Sequence, residues 1–313
     1  PAGNARQKKQ GCVSLARSCE HSTISSTKRR KGTIMPKKKS ILDFYTMKER
    51  GEKVVWITAY DAPTAGFAEE AGMDMLLVGD SLGMCVYGYS GTVPVTMEMC
   101  LRHTEAVRRA APNTFFIGDM PFLSYQTTEA EAVYNAGMFL KDAGADAIKL
   151  EGGVRVADKI RAIVEAGIVV FGHIGLTPQS SGQLGGFKAQ GLTLESAKVT
   201  LADALAVQEA GAHALLVEAV APEVTRLIHQ RLHIPVYSIG AGPHCDGQLL
   251  IVSDLLGIFE AFTPKFVKKY ANLADDIKAA FREYAREVRE GTFPGPEHAY
   301  NMRSGEEEKL DQL

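Results

Sequence analysis

Several apolar runs in this chain finish on a side chain that can move a proton or hold a cation. Met75–Asp80, Phe115–Asp119, Ile148–Glu151 and Ala214–Glu218 finish on a carboxylate, and Val169–His173 finishes on a histidine. A solvated helix face does not account for an acid that directly follows buried-type residues. Two structural roles do: capping the next helix, or pairing with a buried lysine such as Lys149. Either suffices for one acid alone. Four acids gathered on one rim repel one another, and a bound cation is the economical counter-charge. Carboxylates without nearby Cys or paired His suit a hard cation, so Mg2+ or Mn2+ is expected rather than Zn2+. Such an ion chelates a 2-oxo acid and stabilises the enolate formed beside its carbonyl. One acid must stay off the metal to remove that proton. Glu218 is the candidate, because the apolar Ala219-Val220-Ala221 that follows it favours a raised carboxyl pKa.

The elements that must position these residues show a rhythm from Lys53 onward. Strand candidates are Val54–Ala59, Met75–Asp80, Phe115–Met120, Ala147–Glu151, Val169–Gly175, Ala214–Ala219, Val236–Gly240 and, less clearly patterned, Leu249–Asp254. Near-continuous apolar character marks strands buried on both faces, as in parallel sheets. Helices are expected over Pro63–Ala71, Met97–Ala110, Glu129–Ala143, Glu195–Ala210 and Pro222–Leu232. Glu70-Ala71-Gly72, Asp142-Ala143-Gly144, Glu165-Ala166-Gly167 and Glu209-Ala210-Gly211 repeat just before strand candidates. Glycine there closes a helix in the left-handed conformation and returns the chain to the sheet. The expectation is an α/β fold of the (β/α)8 TIM-barrel type, with its chemistry at the C-terminal ends of the strands. An open doubly wound sheet would more often carry GxGxxG after the first strand, and none stands there.

Other motifs are less specific. Gly172–Gln179 opens a glycine-rich loop running to Phe187, readable as a lid or as a plain surface loop. Ile239-Gly240-Ala241-Gly242 stands where many barrels bind phosphate, but equally permits close backbone approach. His103 falls in a helix interior and reads as a packing or surface residue. Asp61 reads as a helix cap.

The bulk numbers agree with a globular enzyme. The 313 residues are 45% hydrophobic and 23% charged, with a formal net charge of −2. That balance argues against nucleic acid as the main partner, and no apolar run reaches membrane-spanning length. Cys12, Cys19, Cys85, Cys100 and Cys245 contain no CxxC pair, which points to a reducing cytoplasm. Residues 1–39 form a basic, serine-rich leader set apart from a catalytic domain over 40–300, with a charged tail over 301–313. The leader has three readings: an organellar transit peptide, which would place the protein in an organelle matrix, a basic tail, or sequence upstream of a start at Met35.

The strings Thr58-Ala59-Tyr60-Asp61, Val78-Gly79-Asp80-Ser81-Leu82-Gly83-Met84, Gly118-Asp119-Met120-Pro121-Phe122, Lys149-Leu150-Glu151-Gly152-Gly153, Gly172–Gln179 and Gly240-Ala241-Gly242 with Asp246-Gly247-Gln248 stand in order. Together they resemble the ketopantoate hydroxymethyltransferase family over roughly residues 36–300. The resemblance implies hydroxymethyl transfer from methylenetetrahydrofolate to 3-methyl-2-oxobutanoate, with Mg2+ as metal, in pantothenate biosynthesis. It further implies Asp80, Asp119 and Glu151 as metal-site acids. Asp80, Ser81, Asp119, Lys149 and His173 would surround the oxo acid, and Glu218 would be the base. Large homo-oligomers are also implied. The run Pro235-Val236-Tyr237-Ser238-Ile239-Gly240, in place of a smaller glycine-containing run, and Ser253, in place of a larger polar side chain, depart from the family pattern, which touches local packing or folate affinity. Two other functions are weighed beside this one. A metal-dependent carbon–carbon or carbon–phosphorus lyase or mutase would usually show a Lys-Lys-Cys-Gly-His-type loop, absent here. A non-catalytic metabolite-binding barrel would have no need of acids on four strands.

Overall fold

Pairing the strands reveals an alternation that the near-continuous apolar runs conceal. The computed structural model describes residues 38–313. Its strands are β1 (Val54–Thr58), β2 (Met75–Val78), β3 (Phe115–Asp119), β4 (Ala147–Glu151), β5 (Val170–Gly175), β6 (Ala214–Glu218), β7 (Val236–Ile239) and β8 (Gly247–Leu250). All pair in parallel, each with its sequence neighbour, and β8 returns to β1 to close the barrel. The expected (β/α)8 class is the observed one. Side chains alternate between two cores. Met75, Leu77, Phe115, Ile117, Ala147, Phe171, Ala214 and Leu216 fill the barrel, whereas Leu76, Val78, Phe116, Ile148, Leu150, Val170, Leu215 and Val217 face the helices. By the same two-residue period, Asp119, Lys149, Glu151, His173 and Glu218 fall on the interior side at the C-terminal end.

The helices are α1 (Ile41–Glu49), α2 (Ala62–Glu70), α3 (Leu82–Cys85), α4 (Met97–Ala110), α5 (Glu129–Lys141) and α6 (Ala157–Glu165). They continue with α7 (Ser181–Leu184), α8 (Leu194–Glu209), α9 (Pro222–Arg231), α10 (Val252–Leu255) and α11 (Leu273–Glu290). Side-chain caps start several of them: Asp61, Thr96, Thr128 and Thr193 each accept an amide N–H from the first turn. Gly72, Gly144, Gly167 and Gly211 all take positive φ, so the repeated Ala-Gly sequence performs the expected turn.

One strand expectation needs correction. Leu249–Asp254 is not a strand: β8 begins at Gly247 and ends at Leu250, and Val252–Leu255 forms the short α10. The polar start of β8 hid it. Gly247 pairs with Val54, where a Cβ would stand 2.2 Å from the Val54 carbonyl oxygen, so only glycine fits.

The floor of the barrel is aromatic. Phe44 of α1 meets Phe115 edge-on at 5.1 Å and closes the N-terminal end. Tyr237 stacks on Phe171 at 6.1 Å and meets Trp56 at 5.3 Å. Acids on this rim are tied to backbone and to cations. Asp74, Asp146 and Asp246 accept the amides of Val55, Phe116 and Val236 on neighbouring strands. They also pair with Lys39, with Lys38 and Arg108, and with Lys48 and His229. The three readings of the basic leader otherwise fall on residues outside those described. Among the described residues, no helix is long and apolar enough to cross a membrane.

Gly118 stands beside Asp119 on the helix-facing side, where an ideal Cβ would lie 2.3 Å from the buried Phe139 ring of α5. Gly118→Ala is therefore expected to destabilise the fold by about 1–3 kcal/mol through overpacking. A lowered urea midpoint with an unchanged m-value checks this.

Candidate active site

Lys149 organises the C-terminal mouth. It sits on β4 opposite Asp119 of β3 in the strand register, and its Nζ lies 2.8 Å from Asp119 Oδ1. Glu151, two residues further along β4, brings Oε1 to 4.0 Å from the same ammonium. Lys149 also reaches Nδ1 of His173 on β5 at 3.2 Å. An ammonium can only donate, so Nδ1 accepts and the ring proton belongs on Nε2. Nε2 in turn lies 3.1 Å from Glu218 Oε2 at the end of β6. Asp80 follows β2 by two residues, and its backbone N–H donates to Asp119 Oδ2 at 2.9 Å. The six residues drawn from the sequence thus meet in one place, and Asp80, Asp119, Lys149, Glu151 and His173 are each at most 4% exposed. Ser81, the seventh, lines the same cavity of about 450 Å³, where its hydroxyl meets Tyr60 Oη at 2.8 Å.

Burial raises the carboxyl pKa of Asp80, Asp119 and Glu151. Repulsion from the other acids pushes Asp80 and Asp119 further up, while Lys149 pulls all three back. Burial also opposes the charge on Lys149, but Asp119, Glu151 and Asp80 outweigh it and hold the ammonium above the usual lysine range. His173 is pushed down by burial and by Lys149, so it is neutral. Burial pushes Glu218 up, partly offset by His173. A neutral imidazole facing a carboxylate of raised pKa, beside a fixed cation, is suited to proton abstraction next to an oxyanion site.

Gln179 is a functional position that sequence reasoning quoted within a motif without giving it a role. Its amide Nε2 donates to Asp80 Oδ2 at 2.9 Å and to the Met120 carbonyl at 3.0 Å. Its backbone N–H donates to Glu151 Oε2 at 3.0 Å, and its Oε1 accepts from Tyr125 Oη at 2.7 Å. One residue therefore fixes two acids, Asp80 through its side chain and Glu151 through its backbone N–H. The first part of the expected lid is consequently anchored, with Thr177 and Gln179 buried, whereas Phe187 further along lines the cavity. A polar residue after Pro178 gives no local hint of this, because all its partners are distant in sequence.

The remaining motifs have structural roles. A Cβ at Gly240, which has φ of +69°, would lie 2.3 Å from the Phe266 ring, so the glycine is the bed for an aromatic wall. His103 bonds the Tyr60 carbonyl through Nδ1 at 2.5 Å and Tyr87 Oη through Nε2 at 3.1 Å. Ala219 takes φ of +48° directly after Glu218, held by bonds from its N–H to Ile239 O and from Gln190 N–H to its carbonyl. A non-glycine residue in that region is strained, a feature that clusters at functional sites.

The donor set fits a hard divalent cation. Asp80 and Glu151 each commit one oxygen to Gln179, and Asp119 commits one to the Asp80 amide. Among the described residues Glu151 Oε1 is buried with no hydrogen-bond donor, a bonding gap that a cation satisfies. Among the described residues, no three His, Cys, Asp or Glu side chains already close into a metal cage.

Acids, lysine and histidine gathered at the C-terminal mouth of a closed parallel barrel define an enzyme of the (β/α)8 class. Solved barrels share the architecture. A phosphonopyruvate hydrolase complex with oxalate and Mg2+ aligns with a TM-score of 0.55 at 17% identity, covering 88% of this chain and 95% of the other. 2,3-Dimethylmalate lyase, of the PEP mutase/isocitrate lyase superfamily, aligns at 0.54 and 18%, covering 88% and 98%. At that identity the likeness is one of fold alone.

The chain belongs to the ketopantoate hydroxymethyltransferase family, whose model matches residues 38–296, and is a transferase. It is 64% identical over 274 residues to the 3-methyl-2-oxobutanoate hydroxymethyltransferase of Alkaliphilus metalliredigens, covering 88% of this chain and 97% of the relative. The enzyme of that name from Moorella thermoacetica is 56% identical over 254 residues, covering 81% and 94%.

Gln179→Ala is expected to lower kcat/KM for the transferase reaction by about 10–100-fold, the usual cost of releasing residues that orient a charged site. Steady-state kinetics beside a thermal unfolding curve checks this. The backbone N–H to Glu151 survives this change, so a wild-type kcat/KM would mean that Asp80 needs no such side-chain anchor.

Proposed function

We propose that the protein transfers a hydroxymethyl group from methylenetetrahydrofolate to 3-methyl-2-oxobutanoate, forming ketopantoate in pantothenate biosynthesis. The observation that carries this reading is the contact of Glu218 with neutral His173, which itself touches the charged Lys149. The names of the relatives at 64% and 56% identity support the substrate.

In this reading Asp80, Asp119 and Glu151 hold Mg2+, which when bound supplies Lewis-acid polarisation of the oxo acid. Ser81, Lys149 and Asp119 orient the oxo acid's carboxylate and carbonyl, and His173 lies beside it. Glu218 takes the proton from C3, and the electron pair moves onto the carbonyl oxygen, where the Lys149 ammonium donates a hydrogen bond. His173, with Nε2 at 3.1 Å from Glu218 Oε2, keeps that carboxylate beside the oxo acid before transfer. The C3 carbon then bonds to the methylene carbon as one of that carbon's two C–N bonds breaks and its nitrogen takes a proton, leaving the second C–N bond to be broken by water. Water supplies the hydroxyl as tetrahydrofolate leaves.

Residues 40–300 are the catalytic domain in this proposal, with a basic leader before it and a charged tail over 301–313. The free thiols Cys85, Cys100 and Cys245 support a cytoplasmic site of action. A homo-oligomer is supported by α11, where Ile277, Phe281, Tyr284 and Val288 form an exposed apolar stripe at helical spacing. Phe281→Glu is expected to reduce the particle mass measured by light scattering, and an unchanged mass would remove this stripe from any subunit contact.

A product assay with both substrates tests the reaction: ketopantoate forms with Mg2+ and disappears with excess chelator. No product from folded protein and Mg2+ would return the oxo-acid lyase reading. Because burial raises Glu218, kcat/KM is expected to rise with pH through a pKa above that of an ordinary glutamate as the base loses its proton. Glu218→Gln removes that limb and lowers C3 proton exchange in D2O by at least about 100-fold, as removal of a general base does. Exchange at the wild-type rate would assign the base elsewhere.

A further inference from the structure

The cavity has a second wall that the oxo-acid chemistry does not use. Acids, Lys149 and His173 come from β2 to β6, whereas the segment after β8 lines the cavity with Asp254, Lys265 and the aromatic residues Phe259, Phe262 and Phe266. Phe259 and Phe262 meet edge-on at 5.6 Å, and Phe266 lies over Gly240. Asp254 is only 5% exposed, yet it lines the cavity and its carboxylate makes no hydrogen bond or ion pair among the described residues. Its neighbours are no substitute: Tyr60 and Cys85 are neutral groups whose pKa its charge raises, and Lys269 acts on it only at a distance. A buried carboxylate without a partner is costly, and its two oxygens call for two parallel donors from a ligand. Phenyl rings lining the same cavity call for a flat one.

We propose that Asp254 recognises the one-carbon carrier, its carboxylate accepting the ring N–H and the exocyclic amino group of the carrier's pterin between Phe259, Phe262 and Phe266. The assignment rests on methylenetetrahydrofolate being the donor. A pterin presents both donors on one edge of a planar ring, which matches a carboxylate in a bidentate pair. Burial pushes the Asp254 carboxyl up to about 6, so near neutral pH it is still mainly the acceptor that this pairing needs. The two walls then set the oxo acid and the carrier face to face, so that the one-carbon unit is presented to C3 from the side opposite the acids.

The test is a comparison of wild type, Asp254→Asn and Asp254→Ala with tetrahydrofolate and its 2-desamino analogue by titration calorimetry, with steady-state kinetics alongside. Both variants are expected to bind tetrahydrofolate about 30-fold more weakly, the scale of a lost hydrogen-bonded pair to a charge. KM for methylenetetrahydrofolate should rise in parallel, with KM for the oxo acid moving less than about twofold. Removing the 2-amino group should weaken binding to wild type by a similar factor and make no difference to Asp254→Ala. Wild-type turnover of methylenetetrahydrofolate with unchanged affinities in both variants would overturn the role of Asp254 alone. A wild type that neither binds tetrahydrofolate nor uses the methylene donor would overturn the carrier itself, and the proposal with it.

Discussion

Every other feature of this site depends on an ammonium buried inside a barrel. Lys149 projects from the middle of β4 into the interior, where an isolated charge would cost several kcal/mol to desolvate. Asp119, Glu151 and Asp80 around it make the charge favourable, and Lys149 in return makes it bearable to bury three acids together. Neither half is stable without the other. The same ammonium sets the tautomer of His173, because a group that only donates must find an acceptor at Nδ1. Through that ring the position of one lysine reaches Glu218, two strands away.

The two rims of the barrel use carboxylates in opposite ways. On the N-terminal rim Asp74, Asp146 and Asp246 accept strand amides and pair with Lys or Arg, so their charges are spent on closing the barrel. On the C-terminal rim three acids share one buried cation, and Glu151 Oε1 has no donor among the described residues. An acid satisfied from every side can hold a fold but not a ligand. The difference between the rims separates structural from chemical acids without reference to any relative.

Much of this was legible in the sequence because barrel strands are short and end where the chemistry begins. Asp119, Glu151 and Glu218 could be read as strand-terminal acids, and the left-handed glycines before strands marked the units. What escaped notice did so for physical reasons. The interior and exterior faces were indistinguishable, since both are apolar and only pairing tells which is which. β8 starts with Gly247 and Gln248, so hydrophobicity pointed past it, although backbone approach to Val54 fixed its place. Gln179 gave no signal because its role lies in bonds to Asp80, Met120, Tyr125 and Glu151, none of them near in sequence.

The shift of β8 matters beyond register. Read as the end of a strand, Asp254 would be one more acid on the rim, with the same meaning as Asp119 or Glu151. In the structure it belongs to α10, beyond the strand, on the side of the cavity lined by Phe259, Phe262 and Phe266 together with Lys265. Among the described residues no lysine lies within ion-pairing distance of it, so it shares neither the cation nor the repulsion that governs the other acids. A cavity that keeps one carboxylate apart in this way separates two binding problems: one for a small anion that needs cations, one for a flat neutral ring that needs an acceptor. Two substrates of different chemistry require that separation, since a site tuned to either alone would repel or ignore the other.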